Sequence, residues 1–533
     1  MSYYNSYKID LPATADYFQW DPQFTPHYFG PQSRHVTGFD AYLTSRDWCI
    51  VGDTVTDDYI LLGAVTVFRS FTYFTLVKEQ GRFREVIITQ PETTEHDKPE
   101  EVIILRGNDW RDLLQQYAAS VAKRMSACVP DTTQNSVGYC SWYYNYDSVT
   151  EDQFLQNMEA IRLNGDVFSA KYMQIDDGYK ACHGDWLIAH PNWPTSLKET
   201  VKKINDAGFE AGIWTMPLIA ATSSKLYSDH PDWFVKDDEN KALVIEGWSP
   251  APDNVWACLD TSIPAVEDHL IHIYQTFYTY GFRYFKLDGI GFSAPRGRRH
   301  DPQATGVSAF RHGLEIIREA VGDSIILGCG AIMPCIGLVD HCRISTDTAI
   351  RWQCWGLPTE EVTADTAEPA NPCLPGLENA LKVSLSHWWT YDSYFRADPD
   401  VVIARQENAF ITEGEARMSA LVAAMTGVAF TSDRLDFVDD YRKSLLKFAA
   451  ENRIRNSRPL DWKKKAWPHV YEGTFNDKRA IAIFNFSESV RKWKLSDLGL
   501  SNAVEMLHPL GNVSGIIEIG PHDGVLLVHS CGV

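Results

Sequence analysis

Three short motifs place acidic side chains where apolar segments of the chain end. The motifs are YMQIDDGY (172–179), YFKLDG (284–289) and RISTD (343–347). Asp288 and Asp347 end two of these segments, and a pair of carboxylates on opposite sides of a cavity suits glycoside hydrolysis. One carboxylate attacks the sugar or activates water, and the other protonates the leaving oxygen. Asp176 and Asp177 repel each other, so we expect them at a rim, where water and substrate hydroxyl groups satisfy both.

Two cationic side chains accompany these carboxylates with a spacing of two or four residues. Lys286 precedes Asp288 by two positions, and Arg343 precedes Asp347 by four. Even spacing along a strand puts both side chains on the same face. Charges that point into a protein interior are costly unless they line a wet functional opening. The pattern therefore predicts one polar site built from several strand ends.

Trp214 and Cys329 stand at two further predicted strand ends. Taken singly, each candidate residue has a simpler structural explanation. A lone aspartate often caps a helix or forms a turn, and a lone Trp or Cys more often belongs to a core. The joint placement at strand ends favours a site. A metal-dependent enzyme would instead use Asp176 and Asp177 as ligands.

Short apolar runs alternate with amphipathic segments from about residue 136 to 433. The runs are VGYCSWYY (137–144), YMQID (172–176), EAGIWTMP (210–217), FRYFKLD (282–288), SIILGCG (324–330), HCRISTD (341–347), VSLSHWWTYD (383–392) and GVAFTSD (427–433). The intervening helices are expected at 151–164, 194–208, 264–281, 305–322, 374–385 and 413–427, with Pro194 and Pro264 opening two of them. Eight units predict an α/β fold, a closed (β/α)8 TIM barrel. An open doubly wound sheet is the alternative.

The flanks of this region carry β patterns. We expect an N-terminal β-sandwich with a linking helix in residues 1–130 and the barrel in 131–455. A small C-terminal antiparallel β domain, a second β-sandwich, is expected in 456–533.

Composition excludes several classes of protein. The formal charge of −21 argues against nucleic acid or an anionic membrane as a partner. We find neither a signal peptide nor an apolar stretch long enough to span a membrane. The 11 cysteines form no C-x-x-C pair, which fits free thiols in the cytoplasm. Without metal-ligand spacing or a nucleotide loop, we expect neither a metal nor a cofactor.

The motifs taken together resemble a known family. QIDDGY followed by GDW, then GIW, YFKLD and RIS-x-D, is similar to the motif series of glycoside hydrolase family 36, the retaining α-galactosidases. Residues 396–427 resemble the matching segment of that family. The resemblance covers about residues 136 to 433. It implies an α-galactoside or related oligosaccharide as substrate, and a homo-oligomer.

The resemblance also implies a role for each residue of the site. Asp288 would be the nucleophile that forms a covalent glycosyl-enzyme, and Asp347 the general acid/base. Lys286 would bind sugar hydroxyls and keep nearby carboxylates ionised. Arg343 would bind hydroxyls beside the acid/base. The acid must hold its proton, so Asp347 needs a raised pKa, which Arg343 opposes.

The remaining residues would bind the sugar. By the same resemblance, Asp176 and Asp177 grip the O4 and O6 edge, Trp214 packs against the ring, and Cys329 lies near O2. Galactose is preferred as the substrate sugar. An α-N-acetylgalactosaminidase with the same catalytic residues is the alternative, and the loop GCGAIMPCIG (328–337) would decide between them. A transglycosylase of the raffinose-synthase type and a non-catalytic sugar-binding protein are further alternatives.

Overall fold

The structure is a computed structural model. It describes residues 5–10, 17–20, 42–53, 56–79, 82–94, 97–131, 133–247, 252–289, 294–330, 332–353, 375–461, 468–508 and 511–529.

The N-terminal part contains two four-stranded antiparallel sheets. Its strands are β1 (Asn5–Asp10), β2 (Tyr17–Trp20), β3 (Tyr42–Arg46), β4 (Trp48–Asp53), β5 (Asp58–Ala64), β6 (Tyr73–Glu79), β7 (Arg82–Gln90) and β8 (Val102–Gly107). The sheet orders are β1-β7-β6-β3 and β2-β4-β5-β8. Alternate apolar side chains of both sheets, among them Val51, Leu62, Phe74 and Ile88, form one buried cluster. The predicted N-terminal β-sandwich is thus confirmed, and helix α1 (Trp110–Arg124) follows it.

A parallel sheet follows, with helices between its strands. The strands after the sandwich are β9 (Ser136–Cys140), β10 (Tyr172–Ile175), β11 (Glu210–Thr215), β12 (Ile219–Ala221), β13 (Val244–Glu246), β14 (Val255–Cys258), β15 (Phe282–Leu287), β16 (Ile325–Cys329), β17 (His341–Arg343), β18 (Arg396–Asp398), β19 (Val401–Val402) and β20 (Val428–Thr431). Nine of them form the order β18-β17-β16-β15-β11-β10-β9-β20-β19, and β12, β14 and β13 form a small antiparallel sheet inserted after β11.

The helices of this region alternate with those strands. They are α2 (Trp142–Asn145), α3 (Glu151–Leu163), α4 (Leu197–Asp206), α5 (Lys225–Asp229), α6 (Pro264–Tyr280), α7 (Gly306–Val321), α8 (Ile332–Cys335), α9 (Leu377–Ser386), α10 (Glu413–Thr426) and α11 (Asp440–Glu451). Pro264 is the first residue of α6, as expected. The expectation for Pro194 was wrong, because Ser196 starts α4 through a capping box with Glu199.

The seventh strand of the barrel is divided in two. β18 pairs with the sixth strand, β17, and β19 pairs with the eighth, β20, while only two residues separate β18 from β19. β20 in turn pairs with the first strand, β9, so the sheet closes on itself. The predicted (β/α)8 barrel is confirmed. Asp400 has a φ of 79°, and this left-handed residue interrupts the strand.

Our assignment of the seventh strand to residues 383–392 was wrong. Residues up to Ser386 belong to α9, and Trp388–Thr390 form a 3-10 turn. A short buried helix and a buried strand share the same apolar composition, so the sequence pattern could not separate them. Trp388 and Trp389 instead join the barrel to the N-terminal part, with ring centroids 6.4 Å from Trp110 and 5.6 Å from Trp48.

An aromatic layer fills the interior of the barrel. Tyr172, Tyr284, His341 and Phe430 come from the second, fourth, sixth and eighth strands, and the Tyr284 ring lies 4.9 to 5.8 Å from the other three. Side chains from alternate strands form such layers in (β/α)8 barrels. Gly138 of β9 leaves room for this layer, because a Cβ there would lie 2.5 Å from the Phe430 ring. Two residues further along the strands, the interior becomes polar.

The C-terminal part is antiparallel. Its strands are β21 (Arg455–Pro459), β22 (Val470–Phe475), β23 (Lys478–Asn485), β24 (Arg491–Lys494), β25 (Asn502–Glu505), β26 (Asn512–Ser514), β27 (Ile516–Ile519) and β28 (Asp523–His529). A six-stranded sheet, β21-β22-β23-β28-β25-β26, packs against α10 on one face and against the β24-β27 pair on the other. No helix in the described ranges is long and apolar enough to cross a membrane.

Candidate active site

Asp288 stands immediately after the fourth barrel strand, at the end where the loops converge. Its Oδ2 accepts a hydrogen bond from Trp214 Nε1 at 3.0 Å, and its Oδ1 accepts one from the amide of Gly289 at 2.7 Å. Its own amide donates to the Thr215 carbonyl at 2.8 Å. Neighbouring strands therefore fix the direction of this carboxylate. Trp214 is buried, so its indole acts here as a hydrogen-bond donor rather than as an open stacking surface.

Lys286 forms an ion pair with Asp176 rather than with Asp288. The Lys286 Nζ lies 2.9 Å from Asp176 Oδ2, and both side chains are almost fully buried. Burial lowers the pKa of Lys286, but the nearby acidic groups, Asp176 foremost, together outweigh this effect, so the pKa stands well above its ordinary value. Lys286 is therefore a buried, permanently charged counter-ion.

The same oxygen of Asp176 has further donors. Gln174 Nε2 lies 2.5 Å away and the Cys140 thiol 3.3 Å away, while Oδ1 accepts the Asp177 amide at 2.9 Å. The expectation that water at an open rim satisfies the two aspartates was wrong, because only 2% of Asp176 and 4% of Asp177 are exposed. The polar interior layer supplies the compensating donors.

Asp177 is held by its own loop. Its Oδ1 accepts the Gly178 amide at 2.6 Å and lies 3.0 Å from Lys180 Nζ. Gly178 has a φ of 109°, and a Cβ at this position would lie 2.7 Å from the Asp147 carbonyl oxygen. The glycine after the two aspartates thus permits the turn that aims Asp177 away from Asp176.

Arg343 is shared by three carboxylates. It donates to Asp398 at 3.1 Å, to Asp400 at 2.8 Å and to Asp347 at 3.0 Å. Asp400 also accepts the Tyr143 hydroxyl and the Thr348 amide. Burial lowers the pKa of Arg343, but the surrounding carboxylates raise it well above its ordinary value.

Asp347 lies beyond the strand that carries Arg343. β17 ends at Arg343, so the alternation expected through RISTD does not extend to Asp347. The two side chains meet because the chain turns back. Half of the Asp347 side chain, 51%, is exposed, which leaves it open to the mouth.

The pKa of Asp347 is raised to about 6. The main cause is desolvation by the protein walls around the mouth; the charges of Asp400 and Asp288 add to it, and Arg343 opposes it. Since water still reaches the side chain, we take these walls, rather than complete enclosure, as the source of the desolvation. The charge of Asp288 is thus part of the environment of Asp347.

Cys329 is the last residue of the fifth strand, and the charge of Asp288 acts on it. Burial raises the pKa of its thiol well above the ordinary value, and the charge of Asp288 adds to this rise. Cys329 is therefore a neutral thiol in the wall of the mouth. In the described part of the chain, no group of three or more His, Cys, Asp or Glu side chains is arranged to hold a metal ion.

Comparisons with known proteins point to one family. The family model described as melibiase matches residues 96–289, which run through the first four barrel strands to Asp288. The crystal structure of the α-galactosidase from Thermus thermophilus with p-nitrophenyl α-D-galactopyranoside aligns with a TM-score of 0.69 and 22% identity, covering 89% of this chain and 92% of that one. These comparisons thus support the resemblance to the α-galactosidases of glycoside hydrolase family 36.

Two further relatives show how much of the chain is similar in fold and how much is similar in sequence. The family 36 α-galactosidase AgaA from Geobacillus stearothermophilus aligns with a TM-score of 0.62 and 12% identity, covering 98% of this chain and 76% of that one. In sequence, α-galactosidase 1 from Pediococcus pentosaceus is 30% identical over 103 residues, which are 18% of this chain and 13% of that protein. The sequence match thus spans only a small part of the curated relative.

Several residues of this candidate site were not predicted from the sequence. Asp398 and Asp400 belong to the seventh strand, which we had assigned elsewhere, although the polar triplet Asp-Pro-Asp after an apolar run was a usable signal. Gln174 shares the strand face of Asp176, so alternation could have identified it. Tyr143 and Cys140 gave no signal, because aromatic and Cys residues fill cores far more often than sites.

The burial of Lys286 and Asp176 as an ion pair predicts strong energetic coupling between them. Lys286→Met would leave a buried carboxylate without its cation, so we expect the free energy of unfolding at pH 7 to fall by about 3–5 kcal/mol. The same change in an Asp176→Asn background should cost much less. Urea denaturation followed by tryptophan fluorescence measures this double-mutant cycle.

Lys202→Met is the matched control. Its pair with Asp206 lies on the surface, with both side chains largely exposed. We expect it to cost less than about 1 kcal/mol. Equal costs of Lys286→Met in the two backgrounds would contradict the coupling.

Proposed function

We propose that this protein is a retaining, exo-acting glycoside hydrolase that releases terminal α-linked galactose. The observation that carries the proposal is the pair of carboxylates at the barrel mouth. Asp288 directly follows the fourth strand, and Asp347 is bonded to Arg343 at the end of the sixth. The resemblance to family 36 and the galactoside bound by the Thermus relative support the choice of sugar.

In the first step, Asp288 attacks the anomeric carbon and forms a glycosyl ester. Asp347 transfers its proton to the glycosidic oxygen as the bond from C1 to that oxygen breaks, so the leaving alcohol departs neutral. In the second step, the Asp347 carboxylate takes a proton from water, and the oxygen of that water attacks C1 and releases Asp288. Two inversions give net retention.

The surroundings of the two carboxylates suit these different tasks. Asp288 accepts hydrogen bonds on both oxygens, from Trp214 and Gly289, which fix the carboxylate in one orientation. The pKa of Asp347, about 6, leaves about half of the group protonated at pH 6 and about a tenth at pH 7. A bound sugar would expel water from the mouth and raise this pKa further.

The sugar would lie with its O4 and O6 edge against Asp176 and Asp177, and with O2 towards Cys329. Asp176 would act together with Lys286, because the two form one buried pair. Arg343 would orient Asp347 and approach a substrate hydroxyl beside it. Each of these roles is carried over to this site from the family resemblance.

We also propose a cytoplasmic location and a homo-oligomeric assembly. The eight cysteines in the described part of the chain are free thiols, which agrees with a reducing compartment. Assembly rests on the family resemblance alone.

A panel of p-nitrophenyl α-glycosides of galactose, N-acetylgalactosamine, glucose and xylose tests the proposed activity. We expect kcat/KM to be at least about tenfold higher for the galactoside, the discrimination that one satisfied hydroxyl contact supplies. The first-formed anomer, followed by proton NMR, should be α. A preference for the N-acetylgalactosaminide would support the alternative substrate, and a β product would contradict retention.

Asp288→Ala should remove the nucleophile and lower kcat by about four orders of magnitude or more, the scale seen when a covalent nucleophile is lost. Azide fits the space of the missing carboxylate and should restore some turnover by forming β-galactosyl azide, which mass spectrometry and NMR identify. Asp268→Ala, an exposed position on α6, is the control and should retain full activity. Activity of Asp288→Ala close to that of the wild type would refute the assignment.

Asp347 should set the alkaline limb of the pH profile. The reaction needs its protonated form, so kcat/KM should fall as pH rises through about 6. For Asp347→Ala, this limb should disappear, and kcat should fall by about 10²–10⁴-fold on a disaccharide but much less on a dinitrophenyl galactoside. Profiles from pH 4 to 9 on both substrates measure this. An equal loss on the two leaving groups would argue against an acid/base role.

A further inference from the structure

A buried polar cluster lies behind Asp177, on the side away from Asp176. It consists of Asp177, Lys180, His183 and Asp253. The first three residues belong to the loop after the second barrel strand, and Asp253 precedes β14 in the small sheet inserted after the third. The loop and the inserted sheet are joined by a hydrogen bond from the Ala221 amide to the His183 carbonyl at 2.9 Å. The loop after the second strand and the inserted sheet thus meet behind Asp177, which is predicted to bind the sugar.

The two oxygens of Asp177 have different surroundings. Oδ1 has two partners, the Gly178 amide at 2.6 Å and Lys180 Nζ at 3.0 Å. In the described ranges, we find no hydrogen bond to Oδ2, and His183 Nε2 lies 3.7 Å from it. Oδ2 therefore keeps its capacity to accept a hydrogen bond from a substrate hydroxyl.

Asp253 fixes the orientation of the His183 ring. Its Oδ2 lies 2.5 Å from His183 Nδ1, and its Oδ1 accepts the His183 amide at 3.3 Å and the Cys182 thiol at 3.1 Å. Burial raises the pKa of Asp253, but its interactions with His183, Cys182 and Lys180 together outweigh this effect, and the net pKa is lowered. The ionised carboxylate can only accept, so the proton of this hydrogen bond lies on Nδ1.

Three indole rings prevent the imidazole from turning. The His183 centroid lies 5.9 Å from Trp186, 5.8 Å from Trp214 and 5.2 Å from Trp256. Only 1% of His183 is exposed, and its Nε2 has no hydrogen-bond partner among the described residues. A buried ring nitrogen without a partner is costly, and an apolar side chain would pack there without that cost. The nitrogen points instead at the one Asp177 oxygen that is left open.

We infer that His183, oriented by Asp253, is a positioning residue that holds the Asp177 carboxylate in the direction required to bind the hydroxymethyl side of the sugar. The inference rests on the proposed function, in which Asp177 contacts the O4 and O6 edge. It adds that the relay Asp253–His183–Asp177 favours galactosides over pyranosides of the same configuration that lack the C6 hydroxymethyl group. His183 itself is too deeply buried to touch the substrate.

Lys180 does not replace His183 in this role. Its Nζ lies 3.0 Å from Asp177 Oδ1 and 3.6 Å from Asp253 Oδ2, so it draws the two carboxylates together on one side. Without His183, Asp177 would be attracted only through Oδ1 and could rotate towards Lys180. To prevent this rotation, the imidazole must carry a second proton, on Nε2, as a cation between the Asp253 and Asp177 carboxylates. It then opposes the pull of the lysine and keeps Oδ2 directed at the substrate.

The kinetic test compares p-nitrophenyl α-D-galactopyranoside with p-nitrophenyl β-L-arabinopyranoside, which has the same ring configuration and no C6. For His183→Ala and Asp253→Ala, we expect KM for the galactoside to rise about tenfold, the value of one hydrogen bond to a charged group. The value of kcat should change less than about threefold. Because the arabinoside lacks the affected contact, the ratio of the two kcat/KM values should fall by a similar factor.

His183→Gln is the conservative variant, since its side-chain amide can still donate towards Asp177, and it should recover part of the lost ratio. His272→Gln and Asp268→Asn, two exposed positions on α6, should match the wild type. Circular dichroism spectra and melting temperatures identify any variant that fails to fold. A folded His183→Ala or Asp253→Ala variant with an unchanged ratio, or with equal losses on both substrates, would overturn the inference.

Crystal structures of His183→Ala and Asp253→Ala separate this inference from the proposed function. If positioning is correct, the Asp177 carboxylate should rotate towards Lys180 in both variants, whether or not the wild type cleaves galactosides. A wild type inactive on both glycosides would refute the proposed function alone. An Asp177 carboxylate that stays in place in both variants would overturn the positioning role, whatever the kinetics.

Discussion

The burial of two cations inside the barrel governs the arrangement of the whole site. Lys286 and Arg343 occupy the interior layer above the aromatic rings of Tyr172, Tyr284 and Phe430. A buried charge without a partner costs several kcal/mol, so each cation requires carboxylates within hydrogen-bond distance. The strand ends supply these carboxylates. The requirement for pairing determines which acidic side chains form ion pairs with the two cations and which remain unpaired at the mouth.

The two cations divide the mouth into functional halves. Lys286 engages Asp176, whereas Arg343 engages three carboxylates, of which only Asp347 is substantially exposed. Asp288 lies between the halves and is oriented by an indole and a backbone amide rather than by a cation. This arrangement keeps Asp288, the proposed nucleophile, free of a tight ion pair. It leaves Asp347, the proposed acid/base, where desolvation raises the pKa more than Arg343 lowers it.

Much of the fold could be predicted, because a barrel repeats a local pattern. Seven of the eight strands follow from short apolar runs separated by amphipathic helices, and the N-terminal and C-terminal sheets follow from alternation. The seventh strand could not be predicted. Its two short halves contain a buried arginine and aspartates, while the apolar run before them, with Trp388 and Trp389, serves the contact with the N-terminal part. Long-range packing overrode the local signal there.

The sequence by itself determined that Asp176, Asp177, Asp288 and Asp347 follow barrel strands, since strand periodicity and the order of motifs are local properties. Only the tertiary structure decided their partners. Lys286 lies 110 positions from Asp176, Asp400 lies 57 from Arg343, and Asp253 lies 70 from His183. Desolvation and charge pairing depend on distances in space across such separations. Both the pKa of Asp347 and the orientation of Asp177 therefore arise only when the barrel closes and the inserted sheet packs behind it.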